Sequence, residues 1–300
     1  TTKQVATNFL TVITQSSAEA AIAIGSVSTL TAGNLYSISS LSDLNKLASL
    51  VNSGQASNCT FILTGDIDMA NSPGYIPIGT DEHKFMGTFY GNGHVISNVS
   101  ISQSGTSGIG IFGVTGNTAR ILDLGVENAT VSGKDYTGVI VGNSAGTITN
   151  CYVKGNVNVN GNSYVGAITG QATNTIASSY TSGNININGS GYVGGLAGFI
   201  NSSVRNSFVQ DVNVTSSSGK AGGFTGAFGS TASYDKISIK GTINVSGTNC
   251  IGGYVGSSDI SLSNLNANVT GTVKAAGGYV GGIAGSINSS STISNCNATM

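Results

Sequence analysis

The side chains best suited to chemistry crowd into one short stretch. Asp66, Asp68, Asp81, Glu82, His83, Lys84 and His94 place seven of the chain's 25 ionisable residues within 29 positions. Carboxylates beside imidazoles can pass protons in acid–base catalysis, and clustered carboxylate oxygens can hold a hard cation. The same residues also read as surface. The run Thr80 to Lys84 has the composition of an exposed turn, and Asp66 and Asp68 alternate on a strand, which puts them on one solvated face. The surface reading is the stronger, so no catalytic residue, metal ligand or cofactor is assigned. Elsewhere the charges are single and recur at no fixed offset (Arg120, Asp123, Glu127, Lys154, Arg205, Asp211). A polysaccharide lyase or hydrolase needs several carboxylates converging on one face. Both histidines precede residue 95, which leaves no Ser-His-Asp arrangement in the rest of the chain. The segment GNGHVISN from Gly91 is glycine-rich, but no helix follows to make it a phosphate loop.

A second candidate is polar rather than ionisable. Asn158, Asn186, Asn213 and Asn244 occupy one position in short alternating segments and are expected to form a column, with Thr130 and Lys274 at its two ends. Such an Asn/Thr ladder could bind glycans, or it could serve the fold, each amide hydrogen-bonding the next. A regular Thr-x-Thr array suited to ice is absent. Tyr136, Tyr164, Tyr192 and Tyr279 also share a repeat position. A sugar platform and packing at a corner are both open there, and Lys220 and Cys250 at the same position favour packing. Cys59, Cys151, Cys250 and Cys296 contain no C-x-x-C pair; two disulfides or four buried thiols fit the spacing.

These candidates must be positioned by a repeat. Gly-rich openers stand at Tyr136 (YTGVIVG), Tyr164 (YVGAITG), Tyr192 (YVGGLAG), Lys220 (KAGGFTG), Cys250 (CIGGYVG) and Tyr279 (YVGGIAG), at steps of 28, 28, 28, 30 and 29 residues, with a degenerate copy at Gly108. Each opener precedes a short segment such as TITNCYV and then a strictly alternating one such as NVNVNG at Asn156. Period-two alternation marks a strand. Three strand-sized pieces per repeat describe one coil of a parallel β-helix, which buries its apolar face only by stacking on its neighbours. Coils about 4.8 Å apart place like residues on like, which suits Asn and penalises charge. Glycines are expected to supply positive φ at corners and to allow close approach. The general rule for parallel crossovers gives a right-handed coil. Eight to nine coils make a rod on the order of 40 Å long.

The N-terminal third differs. From Ser39 to Gly54 the sequence reads as a helix, with Ser40 and Asp43 as a capping box, Gly54 as the stop, and Leu41, Leu44, Leu47, Ala48 and Val51 on one face. It is expected to cap the open end of the solenoid. The predicted organisation is an N-terminal arm or the end of a preceding segment over 1–34, capping helix and first coils over 35–107, and β-helix repeats over 108–300, the last one truncated. The chain opens on Thr1 rather than Met, and a processed or excised piece of a longer protein is expected.

Composition narrows the function. Of 300 residues 45 are glycine, and only 8% are charged, against about 25% in ordinary domains. A net charge of −1 gives no footprint for nucleic acid or an anionic membrane surface. No apolar stretch approaches the ~20 residues of a membrane span.

LTGDIDM from Leu63, YIPIG from Tyr75, FMGTFYGNGHVISNVSI from Phe85 and the YVGGLAG-type repeats, in that order, resemble the GLUG-motif family of secreted or surface-displayed repeat proteins. The likeness covers about residues 35–300. It implies a β-solenoid on the cell surface, often a segment of adhesin-like or peptidase-associated proteins, and it carries over no catalytic residues. The expected function is a non-catalytic, extracellular, adhesin-like structural solenoid that self-associates through its ends or its N-terminal arm into a surface filament. A module binding cell-surface glycans through the ladder is the alternative, and a polysaccharide-degrading enzyme a more distant one.

Overall fold

The structure is a computed structural model that describes residues 20–55, 58–70, 72 and 74–299. It is an all-β parallel solenoid of about nine coils of roughly 28 residues, with one short helix near the N-terminus. The coil beginning at Tyr152 shows the pattern. A long strand, Tyr152–Asn160, is followed by Tyr164–Gly166, Thr169–Ala172 and Ile176–Ala177, and the next coil restarts at Tyr180. Stacking these strands builds a long wall of eight strands, a second of five, a third of seven and a fourth of nine. Pairing is parallel and advances one coil at a time, as in Val157↔Ile185, Ile185↔Val212 and Val212↔Ile243. Inward residues of the alternating segments are therefore buried, and each coil contacts chiefly its two neighbours.

From Tyr152 onward each described coil has four strands where the sequence suggested three, because the opener bends at its middle. Ile140, Ile168, Leu196 and Phe224 sit at that bend, fully buried. The glycines around it serve close approach. A Cβ on Gly194 would lie 2.2 Å from the Ala197 carbonyl oxygen and 2.5 Å from Thr225 Cα. Positive φ at the corner before the long wall is supplied by other residues: Asp123, Asn150, Ser178, Asn206, Lys236, Asn264 and Asn295, with φ between 49° and 57°. Short polar side chains that bond locally tolerate this region best, which fits Asn and Asp at five of the seven positions.

A second positive-φ column crosses the long wall at Asn98, Asn128, Gly155, Gly183, Asp211 and Gly241. Here some coils carry one residue more than their neighbours. In the longer coil Lys154 and Asn156 lie outward two residues apart, and in the shorter one the consecutive Glu127 and Asn128 fill the same span between inward Val126 and Ala129. Where a coil with the extra residue follows one without it, a side chain takes up the spare backbone group: the Asn156 N–H donates to Asn128 Oδ1 (3.0 Å) and the Thr242 N–H to Asp211 Oδ1 (2.8 Å).

The helix, α1 (Leu41–Leu50), runs between two strands of the fourth wall, Leu35–Ile38 and Thr60–Leu63. Ser40 Oγ accepts from the Asp43 N–H (3.2 Å), while the Asp43 carboxylate reaches one residue further back than a capping box does, to the Ser39 N–H and hydroxyl (2.9 Å each). A wider turn, Val51–Gln55, ends at Gly54 with φ 89°. Leu44, Leu47, Ala48, Leu50 and Val51 are buried in the solenoid core, and Leu41 is half-buried. Of the stretch 1–34, residues 1–19 lie outside the described residues. Ile22–Ala23 pairs in parallel with Tyr36 and Ser37 and so begins the fourth wall.

Candidate binding face

The outward side of the long wall is the largest regular surface of the molecule. Its polar columns follow from alternation, since every second residue of each long strand must face solvent. The central column runs Ser100, Thr130, Asn158, Asn186, Asn213, Asn244 and Thr272. The four predicted asparagines thus share one line. Lys274 does not end it. Val273 stacks on Val245, which sets Thr272 against Asn244 and moves Lys274 into the adjacent column beyond Ser246. From Asn244 to Thr272 the wall advances 28 residues, and the 30-residue step of the preceding repeat would land on Lys274 instead.

The side chains of this line are joined head to tail. The Thr272 N–H donates to Asn244 Oδ1 (3.1 Å), Asn244 Nδ2 to Asn213 Oδ1 (2.9 Å), and Asn213 Nδ2 to Asn186 Oδ1 (3.0 Å). The line then steps sideways. Asn186 Nδ2 donates to Asn184 Oδ1 (3.2 Å) and Asn184 Nδ2 to Asn156 Oδ1 (3.4 Å). Asn158 keeps its place in the stack but is bypassed. Asn184, Asn186 and Asn213 each give one amide hydrogen and accept one bond, Asn244 Oδ1 also accepts from the Thr272 hydroxyl (3.2 Å), and Asn156 joins through its oxygen.

Two stacked aromatic columns flank this face. Tyr136, Tyr164 and Tyr192 stack at 4.8 and 5.2 Å with interplanar angles of 2° and 9°. A column not anticipated from the sequence, Tyr152, Tyr180 and Phe208, stacks at 5.3 and 4.7 Å. Its signal was available in the constant 28-residue offset between these positions. The ring faces point along the rod and are covered. Tyr152 lies against Gly125, where a Cβ would come within 2.4 Å of the ring, Lys240 Nζ sits 3.9 Å over Phe208, and Lys220 Nζ 5.2 Å over Tyr192. Ring edges, rather than open faces, meet solvent, which favours packing over a sugar platform. Burial in the stack, then the neighbouring Tyr and Asp135, raises the Tyr136 and Tyr164 phenols above their ordinary range. Tyr279, in the last described coil, is 70% exposed.

The charged stretch divides into two places. At the start of the long wall Asp66 Oδ1 accepts from the Val95 N–H (3.0 Å) and meets His94 Nδ1 (3.1 Å), while Asp68 Oδ1 accepts from Asn98 Nδ2 (2.9 Å). Those bonds, the Val95 N–H first for Asp66 and the Asn98 amide first for Asp68, hold both carboxyls below the usual carboxylate range. Asp81, Glu82, His83 and Lys84 instead rim a shallow depression with Gly54 and Met86. Among the described residues no three His, Cys, Asp or Glu side chains converge as metal ligands would. On the long wall Lys154 Nζ pairs with Glu127 Oε1 at 2.9 Å, and that bond raises the ammonium above its usual value.

Of the cysteines, Cys151 serves the fold. No disulfide joins Cys151, Cys250 and Cys296. Cys151 occupies the site held by Ser179 and Ser207 in the next two coils. Its Sγ bonds the Thr149 carbonyl (3.3 Å) as the serine hydroxyls bond Ala177 (2.8 Å) and Arg205 (2.9 Å) across the positive-φ corner. Burial pushes the Cys151 thiol up to about 12.

No family model matches the chain. It is 38% identical over 138 residues to halomucin of Haloquadratum walsbyi, a match covering 43% of this chain and 2% of that protein. It is 33% identical over 102 residues to a "Putative Gly-rich membrane protein" of Evansella cellulosilytica, covering 31% of this chain and 12% of that one. The chain therefore spans a small fraction of both curated relatives. A solved structure from Bacteroides ovatus, described as a "putative immunoglobulin A1 protease", superposes with a TM-score of 0.65 over 90% of this chain and 85% of that one at 22% identity. At that identity the likeness shows the fold alone. No helix among the described residues is long and apolar enough to cross a membrane.

Proposed function

We propose that this chain is a non-catalytic stretch of a secreted or surface-displayed β-solenoid, adhesin-like in role. The observation that carries the reading is the unbroken side-chain line from Thr272 to Asn156. The regular polar residues of the largest face are tied to one another from coil to coil, so the surface stiffens a rod. The names of the two sequence relatives, a mucin and a membrane protein, support a surface setting, and the GLUG-type motifs agree with it. The test is incubation with a panel of polysaccharides and proteins. The expected result is no new reducing ends and no new peptide termini. Turnover lost in Asp66→Asn or His94→Gln would overturn the reading. Filament formation through the ends is part of the proposal, and sedimentation velocity reads it as a growing ladder of oligomers.

Binding of cell-surface glycans is a second reading, favoured by the free amide hydrogens on the exposed side chains of Asn158 and Asn213. A glycan array tests it. Binding that falls at least tenfold in Asn213→Ala supports it, and an unchanged profile removes the ladder from consideration.

A further inference from the structure

Charge is unevenly divided along this nearly neutral chain. Residues 1–150 carry five bases and nine acids, and residues 151–300 six bases and three acids. On the long wall the division falls into one column, in which Asp68, Glu127, Lys154 and Lys240 are the charged members. Lys154 and Glu127 neutralise each other at 2.9 Å. An acid therefore stands at one end of the column and a base at the other, both exposed.

We propose that the long wall is an interface for a second copy of this chain, packed face to face with the rods antiparallel. The two-fold axis then runs along the strand direction. Each column meets its own counterpart with the coil order reversed. The eight strands of this wall pair first with eighth and second with seventh. Lys240, on the seventh strand, lands opposite the second, between Asp68 and Glu127 of the second copy, and symmetry repeats the contact. With the rods parallel the two-fold axis runs along the rod and reverses position along the strands, so the charged column lands opposite the later, mostly neutral columns or, on the axis itself, like charge on like; neither sets Lys240 against Asp68. In the middle Asn158 and Asn186 would face each other, an arrangement amide ladders support in paired sheets. The area suffices. Nine residues of strand at ~3.3 Å and eight strands at ~4.8 Å give roughly 900 Å² per copy, against the ~800 Å² per partner of a standard interface.

The inference goes beyond the functional reading above, and its test separates the two. Sedimentation velocity of the full chain over a concentration series should show a dimer that forms before any larger species and weakens with salt. A monomer throughout, or larger species that grow with no dimer ahead of them, overturns the pairing, and the latter would still support a filament. Treating the dimer with a carbodiimide, which joins touching carboxylates and amines directly, should link Asp68 to Lys240. Within one chain six strand spacings, ~29 Å, separate them, so the link reports a second copy. A dimer without it overturns the proposal. Lys240→Glu should weaken dimerisation about tenfold, and Asp68→Lys/Lys240→Glu should restore it. Circular dichroism confirms that both exposed variants remain folded. A dimer indifferent to Lys240→Glu, or a double variant no better than the single, refutes the geometry.

Discussion

Thr137 and Thr181 bring hydroxyls into columns otherwise filled by aliphatic side chains, between Ile109 and Val165 and between Val153 and Val209. Both hydroxyls are buried with no partner. An unsatisfied buried hydroxyl costs about 1–3 kcal/mol. Thr137→Val and Thr181→Val should each raise stability by about 1 kcal/mol, read as a higher urea midpoint at unchanged slope. Burial also sets the alkaline limit. It pushes Cys151 from 9.0, and Tyr254 from 10.0, up to about 12. The folded state holds these protons more tightly than the unfolded chain. Their contribution is fully present below about pH 9 and is lost as pH rises towards 12. Cys151→Ser should fold normally, since serine serves that site in two coils, and should lose less stability between pH 9 and 11. Equilibrium unfolding at stepped pH checks both points.

At the scale of the element, the openers and the corners make opposite demands. A methyl on Gly194 collides with backbone on two sides, so Gly194→Ala should cost 3 kcal/mol or more, because a shift there must move the adjoining coil. Asn206 turns its corner at φ 51°. Asn206→Val should cost about 1–2 kcal/mol, and Asn206→Gly very little; thermal melting distinguishes the three. These elements also show what the sequence could reveal. Alternation and the repeat period were legible because inward Val and Ile recur in each coil, and they placed Asn158, Asn186, Asn213 and Asn244 in one line. The bend inside the opener was not, since the glycines there answer to the backbone of the neighbouring coil, which no local pattern contains. Lys274 was misplaced because the repeat length varies from 28 to 30 residues, while the central column steps 28 from Asn244 to Thr272. The direction of the amide line was beyond reach too. It depends on a bulge that gives some coils an extra side chain, Asn184 among them.

Across the whole molecule, stability is close to a sum over adjacent coils. The helix is the exception, since its apolar side reaches the core within a single crossover. Leu47→Asp would bury a carboxylate there and should unfold the first coils while leaving those after Tyr136 protected, a pattern hydrogen exchange resolves. The same nearest-neighbour architecture has a mechanical consequence. Tension applied to the two chain ends is borne by one pair of coils at a time, because none beyond it shares the load. The rod should unspool as a staircase, each step releasing one coil of roughly 28 residues, or about 95 Å of contour at ~3.4 Å per residue. A surface anchored through such a spring would yield by fixed lengths instead of breaking, and the step size in a force–extension trace would count the coils.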